Sequence, residues 1–259
     1  MVDTMVTSQR GVTLSCRYAR ADLRIFTEEE ARRFVGGRSL QDDTALAWEL
    51  LYRLEPDLYD RLVQAERIHP AILDWLPRHV GRIVEVAAGA GRLTAALIER
   101  CDHLTAVEPA APLRAILAAR LMQRTGGRQL CLMPGFFDSL PVPDRWAELV
   151  ITCSALTPDP AHGGDAGLAK MERACAKGGL VVVVWPNHLD WLAAHGYRYL
   201  SFPGEMRVEF ANLNDAVELS EIFYPHAVAE IRRLGDRRVP YEVLGVNPPR
   251  DLAYKEVAG

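Results

Sequence analysis

Residues 83–94 read IVEVAAGAGRLT. An apolar, β-rich run delivers Glu85, small residues follow, and Gly89 and Gly91 lead straight into a helical pattern, RLTAALIER. Glycines there allow a tight turn and a close approach of a ligand to the backbone. The exposed amides at the helix start can hold an anionic or polar group. The next strand candidate, HLTAVEP, ends at Glu108, seventeen residues beyond Gly91. A carboxylate at that place can accept two hydrogen bonds from the vicinal hydroxyls of a ribose. The pair predicts a nucleoside-cofactor site at the carboxyl edge of a parallel sheet.

Outward from this stretch the chain alternates. RQLCLMPG, AELVITCSAL and GLVVVVWPN read as strands, and AAPLRAILAARLMQRTGG and DAGLAKMERACAKGG as helices. Strands that are apolar on both faces, alternating with helices, argue a parallel sheet covered on each side. Residues 1–80 have a different texture. Phe26, Thr27 and Glu30 form a staple and capping box for a helix ending at Gly36-Gly37. DDTALAWELLYRLEP, opened by Asp42 or Asp43, PDLYDRLVQAERIH and PAILDWLPRH are further helices, while residues 1 to about 25 give only a weak strand or arm signal. The expected organisation is an N-terminal helical cap over 1–80 and a sheet domain over 81–259, with an insertion at about 190–213. Asn212 or Asn214 caps DAVELSEIF, and Pro225 interrupts it before HAVAEIRRLG. VPYEVLGV and DLAYKEVA, joined by the short NPPR, are expected to close the chain as an antiparallel pair.

Composition limits the function classes. The 259 residues carry 30 basic and 34 acidic side chains, a net charge of −4, with 49% hydrophobic residues. A disordered chain is excluded, and the mild negative charge weighs against a nucleic-acid substrate. The five cysteines, Cys16, Cys101, Cys131, Cys153 and Cys175, are widely spaced, without CxxC or zinc-ligand spacing, so no metal site is expected. A reducing, cytoplasmic compartment fits them. No apolar run reaches the roughly 20 residues of a membrane helix, and the N-terminus lacks a signal-peptide stretch.

The loop is not an ATP-type phosphate loop, which needs GxxxxGK followed by Ser or Thr. The dinucleotide fingerprint GxGxxG is incomplete, because counting from Gly89 the third glycine falls at Thr94. The segments instead resemble class I S-adenosylmethionine-dependent methyltransferases. Glu85 to Gly91 resembles the family's first motif, with Ala87 in place of the usual first glycine. Glu108-Pro109 resembles the acidic second-strand end, and GFFDSLPVPD (135–144) the third-strand segment. AELVITCSAL and MERACAKGGLVVVV resemble the fourth strand and the helix, turn and fifth strand. The resemblance covers about residues 80–190 well and 215–259 moderately.

It implies a Rossmann-like α/β fold: a seven-stranded, mostly parallel sheet with a C-terminal antiparallel hairpin and helices on both faces. It implies a transferase using S-adenosyl-L-methionine. Glu85 would orient the loop or hold the cofactor's amino group, and Ala87, Gly89 and Gly91 would line the methionine and ribose. Glu108 would take the ribose hydroxyls. Phe136, Phe137 and Asp138 would surround the adenine, and Cys153 with Ser154 would lie near the methionine or the substrate.

Methyl displacement from a sulfonium depends mainly on positioning, so no catalytic residue is obligatory. A base is needed only for acceptors that lose a proton, and His69, His162 and His188 are the candidates. Tyr59, Glu66, Trp185 and Asn187 are the candidates for substrate contact. The aromatic stretch HGYRYLSFPGEMRVEF suits a flap over the acceptor or a homodimer contact. The acceptor is expected to be a small molecule with an O, N or C nucleophile. Two other readings stand beside this one: an NAD(P)-dependent oxidoreductase, with a parallel sixth strand, and a non-catalytic cofactor-binding or assembly protein.

Overall fold

The computed structural model describes residues 26–34, 44–121 and 129–258. The N-terminal arm, Cys16, the Gly36-Gly37 stop, the Asp42/Asp43 cap and the glycines closing the helix after the second strand lie outside the described residues. Nine strands are described, in chain order β1 (Val80–Val86), β2 (Cys101–Val107), β3 (Gln129–Met133), β4 (Ala147–Cys153), β5 (Cys175–Val184), β6 (Arg198–Ser201), β7 (Arg207–Glu209), β8 (Arg238–Pro240) and β9 (Asp251–Glu256).

Seven of them form one sheet in the order β3-β2-β1-β4-β5-β9-β6. β1 to β5 pair in parallel, and β9 runs antiparallel to both β5 and β6. The reversal of strand order lies at β1 and β4, where an open α/β sheet opens a crevice beyond its strand ends. Helices cover both faces, as adjacent residues of β2 show. Ala106 packs with Leu117 and Leu121 of the helix Ala111–Leu121. Val107 faces the other way, into a core with Leu168 and Met171 of the helix Gly164–Ala174.

The last strands depart from the expected hairpin. β9 does not pair with residues 239–246; its hairpin-like partner is β6, within the stretch read as an insertion. Residues Tyr241–Leu244 are a short helix between Pro240 and a left-handed Gly245 (φ 66°). Tyr241 and Leu244, three apart, are both buried, which is helical rather than alternating spacing. The strands flanking Pro203-Gly204 likewise do not pair with each other: β7 pairs with β8.

The described chain divides into two compact units. The first holds the described residues of Met1–Leu51 with Asp57–Arg67 and Glu205–Pro248, and the second those of Tyr52–Pro56, Ile68–Gly204 and Pro249–Gly259. The division differs from a single boundary at residue 80, because residues 205–248 group with the N-terminal helices. Within the first unit the sequence signals hold locally. Glu30 N donates to Thr27 Oγ1 at 3.2 Å and Thr27 N to Glu30 Oε2 at 3.0 Å, the reciprocal capping box. Asn212 accepts from Asp215 N at 2.9 Å and caps Leu213–Phe223. The helix Pro56–Ala65 buries Leu58, Leu62 and Ala65. Among the described residues no helix is long and apolar enough to cross a membrane.

One close approach braces the sheet unit on its ligand side. A Cβ on Gly167 would stand 2.7 Å from Phe137 Cβ, so the helix Gly164–Ala174 seats against Phe137 only because residue 167 is glycine. Gly167→Ala is expected to destabilise the fold by about 1–3 kcal/mol through overpacking, read as a lower urea midpoint with an unchanged m-value. A midpoint at or above that of the wild type would show that the contact yields without strain.

Candidate functional site

The second unit carries the candidate loop and its buried carboxylates. β1 ends at Val86, and the chain then passes through Ala87 (φ 57°), Gly89 (φ 57°) and Gly91 (φ 93°) before a short helix, Thr94–Leu97. Ala87 takes the left-handed backbone that glycine adopts at lower cost. The glycine "missing" from the loop is therefore replaced without a change of turn. A Cβ on Gly91 would lie 2.4 Å from Leu117 Cδ1, and its φ is unfavourable for any other residue. Gly91 thus lets the loop pack on the neighbouring helix. The helix that follows spans only four residues before turning 3-10, so its dipole is slight.

Glu108 is buried beside this loop. Its Oε2 accepts from Gly89 N at 2.9 Å and its Oε1 from Ala110 N at 2.8 Å. A backbone bond from Ala88 N to Val107 O, 3.1 Å, runs alongside. Arg114 donates from Nη1 to the carbonyls of Glu108 and Pro109, which fixes the turn after β2. Each carboxylate oxygen keeps acceptor capacity beyond its one amide. Burial raises the Glu108 pKa above the ordinary carboxylate range, opposed by the two amides.

Glu85, on β1, is also buried, and its Oε2 has no hydrogen-bond partner. Burial pushes its carboxyl up to about 8, with the Thr94 hydroxyl and then the Arg92 cation pulling the other way. A buried carboxyl oxygen without a partner, at the foot of a ligand loop, is suited to an incoming cation such as an ammonium.

The ends of three adjacent strands share one irregularity. After β1, β4 and β5 stand Ala87 (φ 57°), Ser154 (φ 57°) and Trp185 (φ 54°), all non-glycine residues in left-handed backbone. Ser154 N donates to Val184 O at 2.9 Å and Trp185 N to Asp251 O at 2.8 Å, so these turns are pinned to their neighbours. Such backbone is uncommon outside glycine and tends to gather at ligand sites.

The other expected site residues are placed as follows. Phe136 and Asp138 are half-buried after β3, whereas Phe137 is buried in the core beneath Gly163 and Gly167. Cys153 closes β4 and accepts from Arg92 Nη2 at 3.2 Å. Trp185 is buried beneath the Arg92 guanidinium, 5.4 Å from ring centroid to Cζ, while Asn187 is exposed. His188 lies half-buried just before the helix Leu189–Ala194, and burial lowers its pKa, which favours the neutral base form. His162 sits in the 3-10 turn Pro160–His162 after β4.

His69 has a structural role: its Nδ1 accepts from Ala71 N at 3.2 Å as the cap of Pro70–Trp75, and its ring stacks on Phe202. Tyr59 and Glu66 belong to the first unit. Tyr59 packs edge-on to Trp48, and buried Glu66 accepts from Tyr224 Oη at 2.8 Å. The arginines at 232–238 are engaged locally: Arg232 with Glu221, Arg233 with Glu230, Arg238 with Asp236, and Arg237 with the Phe210 carbonyl. No described group of three or more His, Cys, Asp or Glu converges as a metal site. The sequence reading passed over Arg92 and Arg114. In an arginine-rich chain, an arginine after the second glycine or within a helix offers no contrast.

No known protein-family profile matches the chain. In sequence it is 28% identical over 132 residues to uncharacterized methyltransferases of Mycobacterium tuberculosis and Mycobacterium bovis, over 49% of this chain and 50% of theirs. The chain therefore spans about half the length of the curated relatives it matches. Among solved structures, a chain from the complex of the Haloferax volcanii Trm112 methyltransferase activator with a candidate methyltransferase superposes with TM-score 0.51 and 14% identity, over 80% of this chain and 96% of that one. A Bacillus halodurans chain solved as a candidate methyltransferase gives TM-score 0.48 and 15% identity, over 73% and 98%. The strand order, with antiparallel β9 beside β5, is the Rossmann-like fold of class I methyltransferases, and the sequence similarity is to methyltransferases.

Glu85 makes stability depend on pH. Its native pKa of about 8 exceeds the ordinary 4.5, so the native state holds the extra proton between those values. The stability of the ligand-free protein must then fall as pH rises through that window and level off above it. Glu85→Gln removes this component. Its melting temperature is expected to match the wild type near pH 5 and to exceed it near pH 8.5, by scanning calorimetry. A difference that stays constant with pH would contradict the shift.

Proposed function

We propose that this chain transfers a methyl group from S-adenosyl-L-methionine to a small-molecule nucleophile. The carrying observation is the buried Glu108 carboxylate bound to Gly89 N at 2.9 Å, which joins the ribose-type acceptor to the glycine loop. The residues present fit the cofactor. Glu108 retains acceptor capacity for two hydroxyls, and Glu85 Oε2 is a buried oxygen without a partner, suited to an ammonium group. When bound, the cofactor supplies an activated methyl group on its sulfonium sulfur.

The chain's own residues bind and orient. Glu108 holds the ribose, Glu85 the amino group, and Ala87, Gly89 and Gly91 form the wall of the loop. Phe136 and Asp138 border the adenine, with Phe137 behind them as core. Cys153 lies on the methionine side. The acceptor approaches past the β4 and β5 ends, where Trp185 and Asn187 stand and where His188, or His162 in the turn after β4, takes a proton if the acceptor carries one. Positioning and exclusion of water account for the catalysis. A cytoplasmic location belongs to the same proposal.

The oxidoreductase reading requires a parallel sixth strand next to β5, and the neighbour of β5 is the antiparallel β9. Calorimetry with S-adenosylhomocysteine tests the proposal. Micromolar binding is expected, weakened at least roughly tenfold in Glu108→Gln, because hydrogen bonds to a charged group contribute about 1.5–3 kcal/mol. Absence of heat and of thermal shift with the wild type would overturn the proposal. Tighter binding of NAD or NADP would favour the oxidoreductase instead.

A further inference from the structure

We propose that Asp251, beside the carboxyl end of β5, binds an ammonium group carried by the methyl acceptor, with the Tyr199 ring next to it. The inference rests on the methyltransferase reading and narrows its acceptor to amine-bearing small molecules.

Asp251 opens β9, the strand that runs against its neighbours. Its first residues therefore stand at the carboxyl end of β5: Leu252 lies opposite Val184, and Trp185 N donates to the Asp251 carbonyl at 2.8 Å. An acid is thus delivered to the ligand edge of the sheet. Two strands, β4 and β5, separate it from β1 and the glycine loop, so it is a different feature from Glu85 and Glu108.

Alternation fixes the face on which it acts. Asp251, Ala253 and Lys255 point to one side of β9. Tyr199, opposite Ala253 on β6, points to the same side, and its Oη donates to Asp251 Oδ2 at 2.9 Å. The helix Leu189–Ala194 covers that side, since Leu192 shares a core with Ala253. Its far end lies by Lys255, whose Nζ donates to the His195 carbonyl at 3.0 Å. The other end of the helix, with His188, therefore lies toward Asp251.

The Asp251 carboxylate is short of partners. Its Oδ1 is buried and has no hydrogen-bond partner, and Oδ2 receives only the neutral phenol. Arg250 acts on it through its charge, while Arg250 Nη1 donates to the Gly204 carbonyl at 3.3 Å. Burial holds the carboxyl above the ordinary range, against the Tyr199 hydroxyl, its own backbone N–H and that charge. A buried acceptor left open is costly, and a ligand donor recovers the cost. An ammonium answers best, because its bond is charge-assisted and it supplies the counter-charge that burial withholds. Tyr199 is 50% exposed, so its ring can turn aside without opening the core, and the torsion that turns an aspartate carboxylate is broad. The same ring offers the cation an aromatic face.

The test presents three head groups on one phenylethyl frame to the full chain saturated with S-adenosylhomocysteine, by calorimetry and thermal shift. The probes are phenethylamine, 2-phenylethanol and 3-phenylpropionate. Phenethylamine is expected to bind tightest and to lose at least roughly tenfold in Asp251→Asn, which keeps the size but not the charge. Tyr199→Phe, which removes only the hydroxyl, is expected to lose less than Asp251→Asn. Tighter binding of the alcohol or the acid would overturn the proposal, as would equal amine affinity in wild type and Asp251→Asn, or no amine binding to the loaded wild type. A larger loss in Tyr199→Phe than in Asp251→Asn would assign the contact to the phenol and overturn it too. If Asp251→Asn does not fold, the order of the three probes on the wild type decides. A wild type that binds no S-adenosylhomocysteine would instead overturn the methyltransferase reading itself.

Discussion

The contact between Glu108 and Gly89 N ties two requirements together. A carboxylate at the end of a buried parallel strand is costly unless hydrogen-bonded, and a glycine loop with left-handed turns leaves amides that need acceptors. Each group answers the other's need, at 2.9 Å. The tie also sets the loop against β2, and the loop in turn sets Arg92 against β4 and β5. Gly91 completes the arrangement by letting Leu117 approach the place a side chain would fill.

The carboxyl edge concentrates the unusual features of the sheet unit. Left-handed Ala87, Ser154 and Trp185 follow neighbouring strands, and two carboxylates lie buried within one loop's reach. Backbone of this kind persists only where surrounding contacts overdetermine it. Here those contacts are the strands themselves, since each turn is held by a bond to the adjoining strand or its continuation. Among the described residues, the opposite edge of the sheet shows no left-handed non-glycine residue except Arg145, before β4, whose N donates to the Arg173 carbonyl.

The helical unit obeys a simpler chemistry. Its caps are local. Arg61 meets Asp215 and Glu218 and Arg67 meets Glu209 across the unit, while some of its exposed arginines meet acids a few residues away, as Arg233 meets Glu230 and Arg238 meets Asp236. Such pairs are solvated and contribute little to stability. They also leave the basic cluster at 232–238 locally balanced.

The sequence by itself determined what depends on short-range chemistry. Thr27 and Glu30, Asn212, the glycine loop and the apolar strands β1 to β5 were all legible, because caps, turns and buried parallel strands act over a few residues. Glu108 was legible as a candidate because it ends a strand seventeen residues beyond the glycine loop, and the structure joins it to Gly89 N. Only the tertiary structure decided the rest. β6 lies in a stretch of mixed aromatics and becomes a strand because β9 offers it a ladder, while PYEVLG, equally apolar, turns helical between Pro240 and Gly245. Beyond its local cap on Ala71 N, His69 stacks on Phe202, and Arg92 lies over the Trp185 ring. In both cases that aromatic partner, Phe202 or Trp185, is more than 90 positions away along the chain. A side chain's role there depends on which distant segment the sheet brings beside it, and no local pattern carries that information.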